Sequence, residues 1–282
     1  MKLTSIDLYS NNQQVASLSF RDPGSRNPYI AQNTTGLDAG EIVPKFYGNS
    51  NSGKKQYNLS LVKREVVLLI SLNPQFSLGK SYSDLRDDLY RAVASSRDGL
   101  VQLQFKNGSS TIACVSGFVT KFETGMFSKT PQVQMTINCE DGMLRSLNEI
   151  SVDEVILGTS NTIVDNASTA PHGFKFNITF NAPTTSFVIR DATVPDWLFT
   201  ITPGVIGANT GFINNDQLYF SSAYNGRLVY IVRGGVTIYL VDKIQPGSIW
   251  PILFPGPNDL ELVSTGAFTW NELTYYQTYW GV

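Results

Sequence analysis

Alternation of apolar and polar residues is the feature that most constrains the fold of this chain. In QVQMTINC (132–139), FKFNITF (174–180) and VQLQF (101–105), every second residue is apolar. A period of two is that of a β-strand, whose successive side chains point to opposite faces of a sheet. The continuous apolar run REVVLLISL (64–72) indicates a strand that is covered on both faces. The sequence therefore predicts a mainly β protein.

One stretch has a helical period instead, SDLRDDLYRAVASS (83–96). Leu85, Leu89 and Val93 recur at intervals of four and form the apolar stripe of a helix that lies on a sheet. Ser83 is placed to cap the first turn with its hydroxyl. We therefore expect one α-helix over 83–96.

The length of the chain indicates two domains. With 282 residues it is too long for one ordinary core. Hairpin signals occur in both halves, an Asn-Gly pair at 107–108 and a Gly-Gly pair at 234–235. The segment 151–171 is the predicted seam, which gives domains 1–150 and 151–282.

Charge and hydropathy exclude two classes of partner. Lys plus Arg number 21 and Asp plus Glu 23, a formal net charge of −2, whereas a nucleic-acid-binding protein normally shows a basic excess. No apolar run approaches the roughly 20 residues that cross a bilayer, and no signal peptide is expected after Met1. We expect no sequence-specific nucleic-acid binding, no membrane insertion, and buried thiols rather than a disulfide at Cys114 and Cys139.

Motifs for catalysis are incomplete. GNSNSGKK (48–55) matches the start of a phosphate-binding loop, but Lys55 stands where the motif needs Ser or Thr, and a strand follows. The single histidine, His172, lies in a Pro/Gly turn, and the chain has no G-x-S-x-G elbow. Neighbouring carboxylates do not face each other on a strand or helix, although two from distant strands could meet. The sequence predicts no catalytic, cofactor-binding or metal-ligating residues and therefore no enzyme.

The aromatic residues, 12% of the chain, leave two alternatives open. Such rings are most often core or interface residues, because they bury a large apolar area. They could also form a carbohydrate platform, for which Trp250 and Trp270 are the candidates. The alternative function is thus a carbohydrate-binding module that contributes to adhesion at a host surface.

The order of several segments resembles the distal tail (Dit) family of long-tailed, non-contractile bacteriophages. In the first half the resemblance rests on YIAQNTTGLDAGEI (29–42), REVVLLISL (64–72), DLRDDLYRAV (84–93) and the block 99–146 with its Asn-Gly hairpin. In the second half it rests on DQLYFSSAYNGRLVYIVRGG (216–235), SIWPILFPGPNDLELVS (248–264) and a closing aromatic strand. The resemblance covers nearly the whole chain.

This resemblance implies a fold and a function. The fold would be an N-terminal, tail-tube-like β-sandwich with one α-helix, and a C-terminal galectin-like (jelly-roll) β-sandwich in which Trp250 packs inward at a corner. The function would be that of a structural virion protein without a cofactor, a homo-hexameric ring at the phage tail tip that is assembled in the cytoplasm of the bacterial host.

The implied partners are the tail tube protein and the tail-tip hub (tail-associated lysin), with receptor-binding protein and tape measure protein as further partners. Two loops are predicted to contact a neighbouring subunit or partner, a long hairpin and the loop TGMFSK (124–129). The candidate contact residues are Lys45, Phe46, Tyr47, Lys54, Lys55, Met126 and Phe127.

Overall fold

The computed structural model describes most of the chain. The described residues are 3–20, 26–38, 42–48, 55–61, 64–94, 100–125, 131–139, 141–152, 161–207, 209–223 and 226–282. For 42–48, 55–61 and 194–197 the description is confined to the backbone.

The chain divides into two compact units. One comprises residues 1–147 together with 279–282, and the other comprises residues 148–278. Each unit has its own hydrophobic core. The predicted mainly β class is confirmed.

The first unit contains ten strands and one α-helix in its described part. The elements are β1 (Ser5–Ser10), β2 (Gln13–Phe20), β3 (Tyr29–Thr35), β4 (Ile42–Gly48), β5 (Lys55–Leu61), β6 (Arg64–Leu72), a 3-10 helix (Pro74–Phe76), α1 (Tyr82–Ala94), β7 (Val101–Asn107), β8 (Ser110–Thr124), β9 (Gln132–Cys139) and β10 (Leu144–Arg145).

Seven of these strands form a closed barrel in the order β8-β7-β1-β2-β3-β6-β9, because β9 also pairs with β8. Neighbours are antiparallel except β2 and β3, which are parallel. Closure is possible because β8 is 15 residues long, so that its first half pairs with β7 and its second half with β9. Where the resemblance implied an N-terminal β-sandwich, the structure has one sheet that closes on itself.

Alternation along the strands builds the core of the barrel. Val133, Met135, Ile137 and Cys139 of β9 are buried, as their period of two predicts, and they pack in one cluster with residues of the other barrel strands. Burying such side chains fully stabilises the fold by about 1.5–3 kcal/mol for each residue.

The predicted helix is confirmed, with bounds Tyr82–Ala94. Leu85 and Leu89 are its buried residues and join the barrel core. The cap is Ser81 and not Ser83: the Asp84 amide donates to Ser81 Oγ at 3.2 Å, and the Ser81 amide donates to the Asp84 carboxylate at 2.7 Å. This reciprocal pair is a capping box. No helix within the described residues is both long enough and apolar enough to span a membrane.

The described part of the second unit contains two large sheets and one separate two-stranded sheet. Its strands are β11 (Ile150–Ser151), β12 (Asn161–Asn166), β13 (Phe174–Phe180), β14 (Phe187–Asp191), β15 (Val194–Ile201), β16 (Val205–Ile206), β17 (Asn209–Thr210), β18 (Gln217–Ser221), β19 (Leu228–Arg233), β20 (Val236–Tyr239), β21 (Gly256–Ser264) and β22 (Phe268–Tyr275), with a 3-10 helix (Val241–Lys243); β23 (Thr278–Tyr279) follows. A six-stranded sheet has the order β11-β22-β13-β18-β19-β20, and a four-stranded sheet has the order β12-β21-β14-β15.

Phenylalanine side chains join these two sheets into a sandwich. Phe180 of the six-stranded sheet lies 5.7 Å from Phe187 of the four-stranded sheet, edge to face. Phe220 and Phe199 make a second contact of the same kind at 5.2 Å. Aromatic pairs in this geometry contribute about 0.5–1.5 kcal/mol beyond the area they bury.

A polar side chain stabilises the turn before β21. Asn258 accepts a hydrogen bond from the Phe254 amide at 2.7 Å and donates to the carbonyl oxygens of Phe254 and Gly256, both at 2.8 Å. The predicted returning strand after the Pro-Gly-Pro turn is confirmed as β21.

Gly117 provides a test of barrel closure, because it pairs with both neighbours of β8. A Cβ at Gly117 would lie 2.4 Å from the carbonyl oxygen of Asn138 and 2.8 Å from Cys139 Cα. We expect Gly117→Ala to lower the free energy of unfolding by about 1–3 kcal/mol, the usual cost of overpacking, as measured by urea denaturation.

Gly125→Ala is the matched control, because the nearest atom to its Cβ would be the Gln132 carbonyl oxygen at 3.8 Å. Equal stability of the two variants would contradict the close approach at Gly117.

Candidate functional site

The predicted contact hairpin is present as β4 and β5. Lys45, Phe46 and Tyr47 lie on β4, opposite 56–58 of β5, and Lys55 begins β5. In the described residues these two strands pair with each other and with no other strand. Their contact with a partner stays a prediction.

Three further predicted contact residues, Lys54, Met126 and Phe127, lie outside the described residues. In the sequence, Met126 and Phe127 come after the end of β8 and before the start of β9. Their role therefore also stays a prediction.

The two candidate platform tryptophans are half-buried and pack against the core of the second unit. The Trp250 ring lies 4.6 Å from Phe199 and 5.5 Å from Phe220, and the Arg227 guanidinium lies 5.7 Å from its centroid. Trp270 contacts Phe176 edge to face at 5.5 Å. This packing favours the structural alternative for both rings.

The single histidine is a buried structural residue. His172 stacks on Tyr275 at 5.3 Å, and its Nδ1 lies 2.8 Å from the carbonyl oxygen of Gly173. Its backbone forms an antiparallel bridge with Leu253. Burial lowers the pKa of His172 below its usual value, so that the ring is neutral at pH 7. In this position the neutral imidazole packs against Tyr275 and contacts the backbone at Gly173.

The two thiol groups are also enclosed. Cys114 and Cys139 are free and buried, as predicted, and burial raises the pKa of Cys139 to about 11. A thiol with so high a pKa is protonated at pH 7 and is a poor nucleophile. Within the described ranges, no three His, Cys, Asp or Glu side chains cluster to hold a metal ion.

A row of side chains crosses five strands on the outward face of the six-stranded sheet. Cross-strand pairing aligns Glu272 with Asn177, Asn177 with Tyr219, Tyr219 with Tyr230, and Tyr230 with Tyr239. The Tyr219 and Tyr230 rings are nearly parallel, with centroids 4.9 Å apart and an angle of 9°. The Tyr239 ring follows at 5.9 Å. We name these five residues the tyrosine row.

A cavity of about 350 Å³ opens on this face. Tyr219, Asn177 and Glu272 line it, together with Lys175, whose ammonium group contacts the Glu149 carboxylate. A recess of this size, with aromatic walls and a few polar groups, has the composition of a small-molecule site. It is the candidate functional site of the second unit.

Ionic and polar bonds hold the strands that carry this row. Arg233 at the end of β19 makes two hydrogen bonds to the Asp216 carboxylate, at 2.9 and 2.6 Å, and so fastens the β18–β19 pair. Asn271, an extra residue at a bulge in β22, donates to Asn177 Oδ1 at 3.1 Å and orients that amide. The site is thus built on paired strands.

Sequence reasoning missed the tyrosine row. Its five residues come from five different strands. They meet because of the register in which these strands pair, and no local sequence pattern encodes that register. The Gly-Gly turn at 234–235 was the one available signal, because it fixes Tyr230 opposite Tyr239.

Similarity to known proteins was found in solved structures. No family model matches the sequence, and no curated protein matches it. The chain is similar to SPP1 Dit (gp 19.1), a paradigm of the hub adsorption apparatus in phages that infect Gram-positive bacteria, with a TM-score of 0.61, 15% identity, and coverage of 96% of this chain and 98% of that chain.

Two weaker similarities are to the phage P2 baseplate in its activated conformation. For the baseplate structure with Ca, the TM-score is 0.44 and the identity is 10%, and the match covers 98% of this chain and 98% of that chain. For the structure with Sr, the TM-score is 0.43 and the identity is 10%, and the match covers 96% of this chain and 97% of that chain. The likeness to SPP1 Dit shows that the chain has the fold of a siphophage distal tail protein, so the predicted resemblance is confirmed at the level of the fold.

His172 gives a pH test of the structure around it. The pKa of the folded state lies below the usual 6.5, so the unfolded state binds more protons as the pH falls through and below 6.5. We expect the free energy of unfolding of the wild-type protein to be highest above pH 6.5 and to decrease as the pH falls below 6.5. In His172→Gln we expect this decrease to be absent between pH 5.5 and 7.5. Urea denaturation at each pH measures the effect.

Proton NMR of the folded protein is the direct check, because its only imidazole signals are those of His172. An imidazole that titrates at or above pH 6.5 would contradict the buried, neutral state.

Proposed function

We propose that the chain is a structural protein of a phage tail tip, which assembles as a homo-hexameric ring and joins the tail tube to the tail-tip hub. The observation that carries the proposal is the fold likeness to SPP1 Dit along nearly the full length of both chains. A likeness that includes both units in one order supports a shared role more strongly than one shared domain would.

The barrel of the first unit is suited to ring formation. Closure pairs β8 with β9, the first and last of the seven barrel strands, which protects the barrel from uncontrolled edge-to-edge association. A contact between two unlike patches then repeats from subunit to subunit and closes after a fixed rotation.

The β4–β5 hairpin is the proposed contact between neighbouring subunits. In the described part of the chain each of its strands has one edge without a partner strand, and such an edge can add to a sheet of another chain. Lys45, Phe46, Tyr47, Lys54 and Lys55 would then lie at this contact, with Met126 and Phe127 as the second candidate contact.

The remaining partners follow from a position between tube and hub. They are the tail tube protein above the ring, the tail-associated lysin of the hub below it, and the receptor-binding and tape measure proteins. The net charge of −2 suits a lumen that passes DNA, because a basic wall would bind the phosphate backbone. The role is binding, without catalysis, in the virion after assembly in the host cytoplasm.

The ring is tested by light scattering and electron microscopy of the purified chain and of the virion. We expect six-fold annuli of the protein in solution or at the tail tip. A virion reconstruction in which the tail tip lacks this chain would contradict the proposal.

The hairpin contact is tested by a double substitution, Phe46→Ser with Tyr47→Ser, which we expect to lower the fraction of assembled rings at least tenfold while the protein stays folded by circular dichroism. Val236→Ser is the matched control, because Val236 is an exposed apolar strand residue of the second unit. Equal assembly of both variants would place the contact elsewhere.

A further inference from the structure

We propose that the cavity beside the tyrosine row binds an uncharged pyranose chain, that is, a neutral polysaccharide. This inference goes beyond the ring and does not depend on it, because it concerns one face of the second unit. It also differs from the platform of Trp250 and Trp270, whose rings pack against the core.

The first argument is the geometry of Tyr219. Its ring is stacked on Tyr230, its other cross-strand neighbour is Asn177, and all three residues line the cavity. Its hydroxyl donates to Gln217 at 3.1 Å, which further restrains the ring. A flat aromatic face of this kind complements the C–H face of a pyranose, and an ordered ring loses little entropy on binding.

The second argument is the polar set next to that ring. Asn271 donates to Asn177 Oδ1, so the Asn177 amide presents its N–H groups for donation. The directly opposite Glu272 is exposed and accepts through two carboxylate oxygens. Ser221 and Thr274 add hydroxyls to the lining. The carboxylate can accept a hydrogen bond from one sugar hydroxyl, and the amide N–H can donate to the adjacent hydroxyl, because each sugar hydroxyl is both a donor and an acceptor.

The third argument is charge. The charged residues of the lining are Glu149, Glu272 and Lys175, which sum to a formal charge of −1 from two carboxylates and one ammonium group. Lys175 is already paired with Glu149. An anionic polymer such as a polyphosphate or a nucleic acid is therefore disfavoured, and a neutral sugar is favoured.

The test is titration of the full chain with neutral oligosaccharides of glucose, galactose and N-acetylhexosamines and with neutral polysaccharide released from bacterial cell walls, followed by calorimetry and ligand-observed NMR. We expect saturable binding to at least one of these probes. We further expect Tyr219→Ala and Glu272→Ala each to weaken it at least tenfold.

Tyr239→Ala is the matched control, because Tyr239 belongs to the tyrosine row but does not line the cavity; its affinity should stay within twofold of wild type. Glu272 is exposed, so Glu272→Ala keeps the test valid if Tyr219→Ala unfolds. Ring assembly, measured in the same variants, should be unchanged, which separates this proposal from the previous one.

Three results would overturn the proposal. They are no binding of any neutral probe by the wild-type chain, wild-type affinity in Glu272→Ala, and loss of binding in Trp270→Ala but not in Tyr219→Ala. Preferential binding of an anionic glycan or of a proline-rich peptide at this cavity would also overturn it.

Discussion

The pairing of β8 with both β7 and β9 is the constraint on which the first unit depends. One strand reaches both neighbours, and Gly117, at the point where the pairing changes, has no side chain because the β9 backbone occupies that space. Closure brings the inward residues of all seven strands into one core. It also leaves the β4–β5 hairpin as the part of the described first unit whose strands pair outside the main sheet, which is why assembly is proposed there.

The second unit buries its apolar side chains between two sheets and not inside a barrel. Two sheets share a phenylalanine-rich core, so that only one face of each sheet is buried. The other face of the six-stranded sheet carries Tyr219, Asn177 and Glu272, which line the cavity. A site on the outward face of a rigid sheet is preorganised, because pairing fixes its side chains before a ligand arrives.

Local sequence patterns predicted the elements better than their arrangement. The period of two identified β9 and β13, the stripe of Leu85 and Leu89 identified α1, and the Gly-Gly pair identified the β19–β20 hairpin. Barrel closure was missed because it depends on pairing between distant strands, which periodicity does not encode. The predicted cap, Ser83, lies two residues too late, because a serine at either position can cap a helix and only the reciprocal bonds between Ser81 and Asp84 identify the true one. The tyrosine row was not predicted for the same reason as barrel closure: it depends on pairing between strands that are distant in the sequence.

Assembly and ligand binding would use different units of the chain, and this separation has an energetic consequence. A single open cavity with one aromatic face and a few hydroxyl-matching groups binds a sugar weakly, because the ligand keeps much of its hydration. A hexameric ring would present such cavities on every subunit to the same polymer. Linked sites of this kind raise the overall affinity by about 10²–10⁴ without any new contact, provided that the polymer can reach several of them at once. Weak single sites also release and rebind, so a ring could stay attached to a polysaccharide while it changes position on it.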